Sequence, residues 1–62
     1  MIFMINLGDE VRIKNNNLVG YVCDIYEGWC YVEVDPTKLN GIEPEYPDRL
    51  FKRKIEDLEL VS

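Results

Sequence analysis

Residues 20–35, GYVCDIYEGWCYVEVD, decide how this chain folds. Valine, isoleucine, tyrosine and tryptophan fill the stretch, and these residues suit a pleated, half-buried surface. It holds the only Trp, three of the four Tyr and both Cys. It reads as one long β-hairpin folded at Glu27-Gly28. With that two-residue loop, Tyr26 faces Trp29, Ile25 faces Cys30, Asp24 faces Tyr31 and Cys23 faces Val32. Side chains alternate across a sheet, so two faces separate. Val19, Tyr21, Cys23, Ile25, Cys30, Val32 and Val34 form the core face. Asp24, Tyr26, Trp29, Tyr31, Glu33 and Asp35 form the wet face. A four-residue loop preserves this parity, whereas an odd loop or a bulge swaps the faces of one strand. Val22 is the discordant residue: it falls on the wet face, and a bulge near Gly20 would bring it inward.

Working outward, the chain reads as short strands and turns. Residues 1–7 form an extended lead-in with Phe3, Ile5 and Leu7 on one face, and Gly8-Asp9 signals a turn. Residues 10–14, EVRIK, alternate strictly, with Val11 and Ile13 inward. Three asparagines, Asn15 to Asn17, make a polar turn, because Asn tolerates left-handed backbone. After the hairpin, residues 36–48, PTKLNGIEPEYPD, form a long connection with all three prolines and an Asn40-Gly41 turn pair. Proline cannot donate to a ladder, so no central strand is expected there. Such a loop either carries function or covers an open end of the fold. Residues 49–54, RLFKRK, read as a strand with Phe51 inward. Ile55-Glu56-Asp57 read as one helical turn, and residues 58–61 as a last strand with Leu58 and Leu60 on one face. The expected core is Val11, Ile13, Val19, Cys23, Ile25, Val32, Val34, Phe51, Ile55, Leu58 and Leu60.

Sixty-two residues make one domain, 1–62. A chain of this length buries about 60% of its unfolded surface, so its stability is modest. Histidine is absent, which removes the commonest metal ligand and the usual general base. Two Cys without His do not make a zinc site. Both read as buried thiols, which suits a reducing, cytoplasmic setting. The net charge of −5 repels phosphate backbones and disfavours broad nucleic-acid binding. The apolar opening MIFMINL is too short to span a membrane and lacks the basic region of a signal peptide. No cofactor is expected.

Short strands at close spacing suggest a small barrel. Gly8-Asp9-Glu10-Val11-Arg12-Ile13 resembles the G-D-x-V-x-I opening of many SH3-like small barrels. Val19-Gly20-Tyr21-Val22 resembles their h-G-x-V second strand. The ending Ile55-Glu56-Asp57-Leu58-Glu59-Leu60-Val61 is similar to their one-turn helix followed by an L-E-x-V strand. The resemblance implies an all-β, five-stranded SH3-like barrel with a short helical turn before the last strand. The superfamily has many functions, so fold alone does not imply one. One enzyme in it, the plasmid-borne type II dihydrofolate reductase, has a pore segment V-Q-I-Y before its final strand. This chain has Arg49-Leu50-Phe51-Lys52 there. Neither the Gln nor the Tyr is matched, so no catalytic residue carries over.

Two constellations stand out. Tyr26, Trp29 and Tyr31, joined by Tyr46 if the long loop folds back, make an aromatic surface of the kind enriched at interfaces. The same aromatics also stabilise a hairpin through cross-strand pairing. Arg49, Lys52, Arg53 and Lys54 place four bases within six residues. They read either as an anion or nucleic-acid contact or as an edge strand kept soluble by charge. The acids Asp24, Glu33, Asp35, Glu43, Glu45 and Asp48 lack the spacing of a calcium loop and read as a solvated surface. The leading expectation is a non-enzymatic module that binds an unidentified protein or peptide through the aromatic hairpin tip. A nucleic-acid accessory role for the basic strand comes second and an oligomeric enzyme third. No membrane role is expected.

Overall fold

The computed structural model describes residues 4–45 and 50–61. Five strands, β1 (Glu10–Ile13), β2 (Val19–Tyr26), β3 (Trp29–Glu33), β4 (Leu50–Lys54) and β5 (Leu58–Leu60), form one antiparallel sheet in the order β4-β3-β2-β1-β5. A 3-10 turn, Ile55–Asp57, feeds β5 as the sequence predicts, and a second 3-10 turn, Pro36–Lys38, follows β3. No ladder joins β4 to β5 among the described residues, so the sheet is not closed into a barrel.

The hairpin tip has the predicted register. Tyr26 pairs with Trp29, Ile25 with Cys30 and Asp24 with Tyr31. Glu27 (φ 49°) and Gly28 (φ 81°) both occupy left-handed backbone. A two-residue type I′ turn requires this at both positions, and its twist matches that of the strands it joins. Glycine takes the second position without the steric cost that a Cβ carries there.

Below the tip the register shifts. Val22, not Cys23, pairs with Val32, and Tyr21 pairs with Glu33. Cys23 and Asp24 together oppose Tyr31, which makes a β-bulge at Cys23 rather than near Gly20. The core-face assignment is corrected accordingly. Val22 is buried, while Cys23 and Tyr21 are exposed. The cause lies in the apolar spacing, since Val22 and Ile25 are three apart and strict alternation cannot turn both inward. One extra residue between them restores the parity.

The core comprises Ile5, Val11, Ile13, Leu18, Val22, Cys30, Val32, Val34, Phe51 and Leu58, with Ile25, Leu39, Ile42 and Ile55 packed against it. Two further expected core positions are corrected: Val19 is only half-buried and Leu60 is exposed. In the lead-in, Ile5 is buried while Leu7 is exposed. Leu60 shares its face with Leu58 but lies at the far end of a three-residue edge strand. Leu7 sits in a turn spanning Asn6 to Asp9, where the Asn6 N–H donates to Asp9 Oδ2 (2.8 Å) and the Asp9 N–H to the Asn6 carbonyl (3.1 Å). No α-helix covers the sheet among the described residues, yet Val11, Ile13, Cys30, Val32 and Leu58 are 0% exposed. A flat single sheet leaves both faces wet, so this sheet curls around its own apolar face.

The ends of that curl are covered by loops. Leu18 enters the core from the asparagine turn, where Asn17 has φ 62° and Asn16 Oδ1 accepts from the Leu18 N–H (3.0 Å). In the long loop, Leu39 and Ile42 flank the Asn40-Gly41 turn, which the Ile42 N–H closes onto the Leu39 carbonyl (2.9 Å). The described part of this loop therefore packs as a cover. Tyr46 and Arg49, both expected site residues, lie outside the described residues.

Candidate functional site

The outer face of the sheet is built in rows that run across the strands. At the tip, Tyr26 on β2 pairs with Trp29 on β3, which pairs with Lys54 on β4. One row below, Asp24 pairs with Tyr31, which pairs with Lys52. Tyr26, Trp29 and Tyr31 thus share one surface with Lys52 and Lys54, which lie far from them in the sequence. Lys52 Nζ lies 4.7 Å from the Trp29 ring centroid and Lys54 Nζ lies 5.3 Å from it. Both distances are within reach of the attraction between an ammonium and the indole face, worth about 0.5–1 kcal/mol at exposed sites. Trp29 is half-buried and turned outward, Tyr26 is exposed and Tyr31 is half-buried. Two lysines on one indole make a surface at once apolar, flat and cationic.

Arg53 does not belong to that surface. It pairs with Cys30, a core residue, so its side chain starts from the inner face. Its guanidinium lies 5.8 Å from the Phe51 ring centroid and donates to Glu45 Oε1 (2.7 Å) and to the Lys52 carbonyl (2.8 Å). Only 15% of the side chain is exposed. Arg53 fastens the long loop to β4, and the bond it donates holds the Glu45 carboxyl below its ordinary range. Of the four expected anion contacts, Lys52 and Lys54 face outward together.

The thiols differ. Cys30 is fully buried, and burial pushes its pKa up. Cys23, on the bulge, is exposed, and its Sγ donates to the Tyr31 carbonyl (3.3 Å). Partial desolvation of the sulfur, with the Glu33 carboxylate nearby, pushes this thiol up as well. Both cysteines are free.

A groove of about 400 Å³ opens on the same outer face at the opposite end of the hairpin. Sequence reasoning missed it, because it rests on Tyr21, which strict alternation turns inward. Asp35 at its edge accepts from the Thr37 N–H (2.9 Å) and hydroxyl (2.8 Å) through one oxygen, and these bonds hold its carboxyl below the usual range. Among the described residues, no group of three or more His, Cys, Asp or Glu side chains is placed to hold a metal ion. Among them, too, no helix is long and apolar enough to cross a membrane. No protein-family model, curated protein or solved structure matches this chain.

Proposed function

We infer that this chain is a non-enzymatic binding module that takes a protein or peptide on the face formed by Tyr26, Trp29, Tyr31, Lys52 and Lys54. The observation that carries this reading is the convergence of Tyr26, Trp29 and Tyr31 with Lys52 and Lys54 on one outer face, with two ammonium groups over the Trp29 ring. Flat aromatics bury large area at low entropy cost, and Trp and Tyr dominate interface hot spots. An SH3-like small barrel is the architecture this reading assumes. It is supported by a meander of four strands, a one-turn 3-10 segment and a last strand that returns to pair with β1. A reducing, cytoplasmic setting suits the free thiols.

Trp29→Ala tests the reading. It should leave the fold intact, since the ring packs on the outer face, while abolishing capture of the partner. The loss expected for a hot-spot Trp is at least about 2 kcal/mol of binding. In the free protein, Trp29 fluorescence should be quenched readily by acrylamide and shielded once the partner binds. If Trp29→Ala unfolds the chain, the ring is structural and the binding surface is wrongly assigned. A second reading, single-stranded nucleic acid stacked on the same aromatics, is favoured only by Lys52 and Lys54 and opposed by the net charge of −5. It requires affinity that falls steeply with salt.

A further inference from the structure

The groove at the far end of the hairpin has its own chemistry and does not depend on the Trp29 surface. Its centre is a row across three strands. Tyr21 on β2 pairs with Glu10 on β1 and with Glu33 on β3, so a carboxylate stands on each side of the tyrosine. Directly opposite residues in a sheet hold their Cβ atoms about 4.5–5.5 Å apart, close enough for both carboxylates to reach past the ring edge. Tyr21 is 57% exposed, so its ring is open to solvent rather than packed.

Gly20 lines the groove through its backbone, beside Val19 and Val34. Asp35 and Pro36 continue the groove beyond β3. Among the described residues three carboxylates line it, those of Glu10, Glu33 and Asp35, against one ammonium, that of Lys38. Among the described residues the ion pairs are Arg12–Glu59 (3.7 Å) and Arg53–Glu45 (2.7 Å). Among the described residues neither Glu10 nor Glu33 takes part in an ion pair, and Arg12, which pairs with Val19, lies against Glu59 instead.

We propose that this groove takes an arginine side chain from a basic polypeptide partner, its guanidinium stacked on Tyr21 between Glu10 and Glu33. Arginine fits better than lysine on chemical grounds. Its planar guanidinium stacks on an aromatic face and offers donors along both edges, whereas an ammonium is a compact, strongly hydrated point charge. Val19, Val34 and Pro36 in the lining offer apolar contact for the methylene stem, and the volume of about 400 Å³ falls within the range of small-ligand sites, roughly 300–1,000 Å³. The net charge of −5 draws such a partner in.

The test is an NMR titration of the isotope-labelled full chain with three synthetic peptides, acetyl-GRGRG-amide, acetyl-GKGKG-amide and acetyl-GEGEG-amide. The arginine peptide should shift amides of Glu10, Tyr21, Glu33 and Val34 and saturate. The lysine peptide should bind the same amides about threefold or more weakly, and the glutamate peptide should not bind. Glu33→Gln, close to isosteric, and Tyr21→Ala, at an exposed position, should each weaken the arginine peptide by about fivefold or more. Their dispersed spectra would verify folding. Glu27→Gln removes the same charge at the hairpin tip, six residues along the chain from Tyr21 or roughly 20 Å at strand rise, and should change Kd by less than about twofold. Equal weakening by Glu27→Gln would mean that net charge, not the groove, attracts the peptide, and would overturn the proposal. Shifts scattered over the surface, or equal affinity for the lysine peptide, would overturn it as well.

Discussion

Gly20→Ala is a small change with two opposed consequences, and the structure decides which one wins. Replacing glycine by alanine restricts the unfolded chain, which stabilises a compatible site by about 0.4–1 kcal/mol. Gly20 has no left-handed backbone that would forbid the alanine. The obstacle is space. A Cβ at Gly20 would stand 2.3 Å from the Glu33 carbonyl oxygen, 2.9 Å from the Glu33 carbonyl carbon and 2.9 Å from Val32 Cγ1. Two of those atoms are backbone, so no rotamer change relieves the contact. β3 must move away from β2 by roughly 1 Å, beside the Tyr21–Glu33 pair and next to the bulge. Overpacking of this kind costs about 1–3 kcal/mol, and a weakened ladder hydrogen bond adds up to about 1 kcal/mol. The steric side prevails, with a net loss of about 1–2 kcal/mol. At roughly 0.05–0.15 kcal/mol per residue, 62 residues give a total stability of about 3–9 kcal/mol, so the change is a large fraction of it. In urea, with m near 1 kcal/mol/M for so small a domain, the midpoint should fall by about 1–2 M. An unchanged or raised midpoint at constant m would refute the close approach of β2 to β3 at Gly20.

Three further outcomes are expected. Phe51 is 1% exposed and the largest fully buried side chain among the described residues, so Phe51→Ala should cost about 3–5 kcal/mol and leave little folded protein; near-native melting would remove it from the core. A thiol reagent on native protein should label Cys23 alone, more slowly than a free thiol because its pKa is raised, with Cys30 reacting only on unfolding; mass spectrometry of the labelled peptides decides. The Glu45 carboxyl has a folded pKa below its unfolded value, so its bond to Arg53 stabilises fully above about pH 4.3 and is lost as pH falls through the lower folded value. The carboxylate is half exposed and the gain is about 0.2–1 kcal/mol, so the urea-midpoint gap between wild type and Glu45→Gln should be present at pH 7 and vanish in strong acid.

Much of the fold was legible because the strands announce themselves by alternation. Val11 and Ile13, Cys30 and Val32, and Phe51 in its basic strand all occupy the face that the pattern assigns. The Glu27-Gly28 turn and the single turn at Ile55–Asp57 were readable from turn chemistry. The parts that were not legible depend on pairing between strands. The merging of Trp29 with Lys52 and Lys54 requires the β3–β4 register, which no local pattern supplies, since a long loop separates the two strands. The inward start of Arg53 was legible by contrast, because period two puts it on the face of Phe51 and opposite Lys52 and Lys54; its bond to Glu45 in the long loop was not. Leu18 and Ile5 were missed because they lie in a turn and in the lead-in, where alternation says nothing about burial.

The bulge at Cys23 gives the outer face its two distinct ends. Carrying the alternation of Gly20 and Val22 onward without it would turn Asp24 and Tyr26 inward and Ile25 outward. An unpaired carboxylate would then enter an apolar core, at a cost of several kcal/mol. The extra residue avoids this, and it leaves Tyr21 and Tyr26 both outward on one strand, with the bulge between them. Around Tyr26 and Trp29 the nearest cross-strand charges are the ammonium groups of Lys52 and Lys54; around Tyr21 they are the carboxylates of Glu10 and Glu33. Each end offers an aromatic surface with charge of opposite sign, so an anionic segment favoured at Trp29 is repelled at Tyr21, and a cationic one the reverse. The two proposed surfaces thus call for segments of opposite charge. Trp29→Ala and Glu33→Gln should then act independently, each weakening its own ligand and leaving the other untouched, as paired titrations of each variant with both ligands would read.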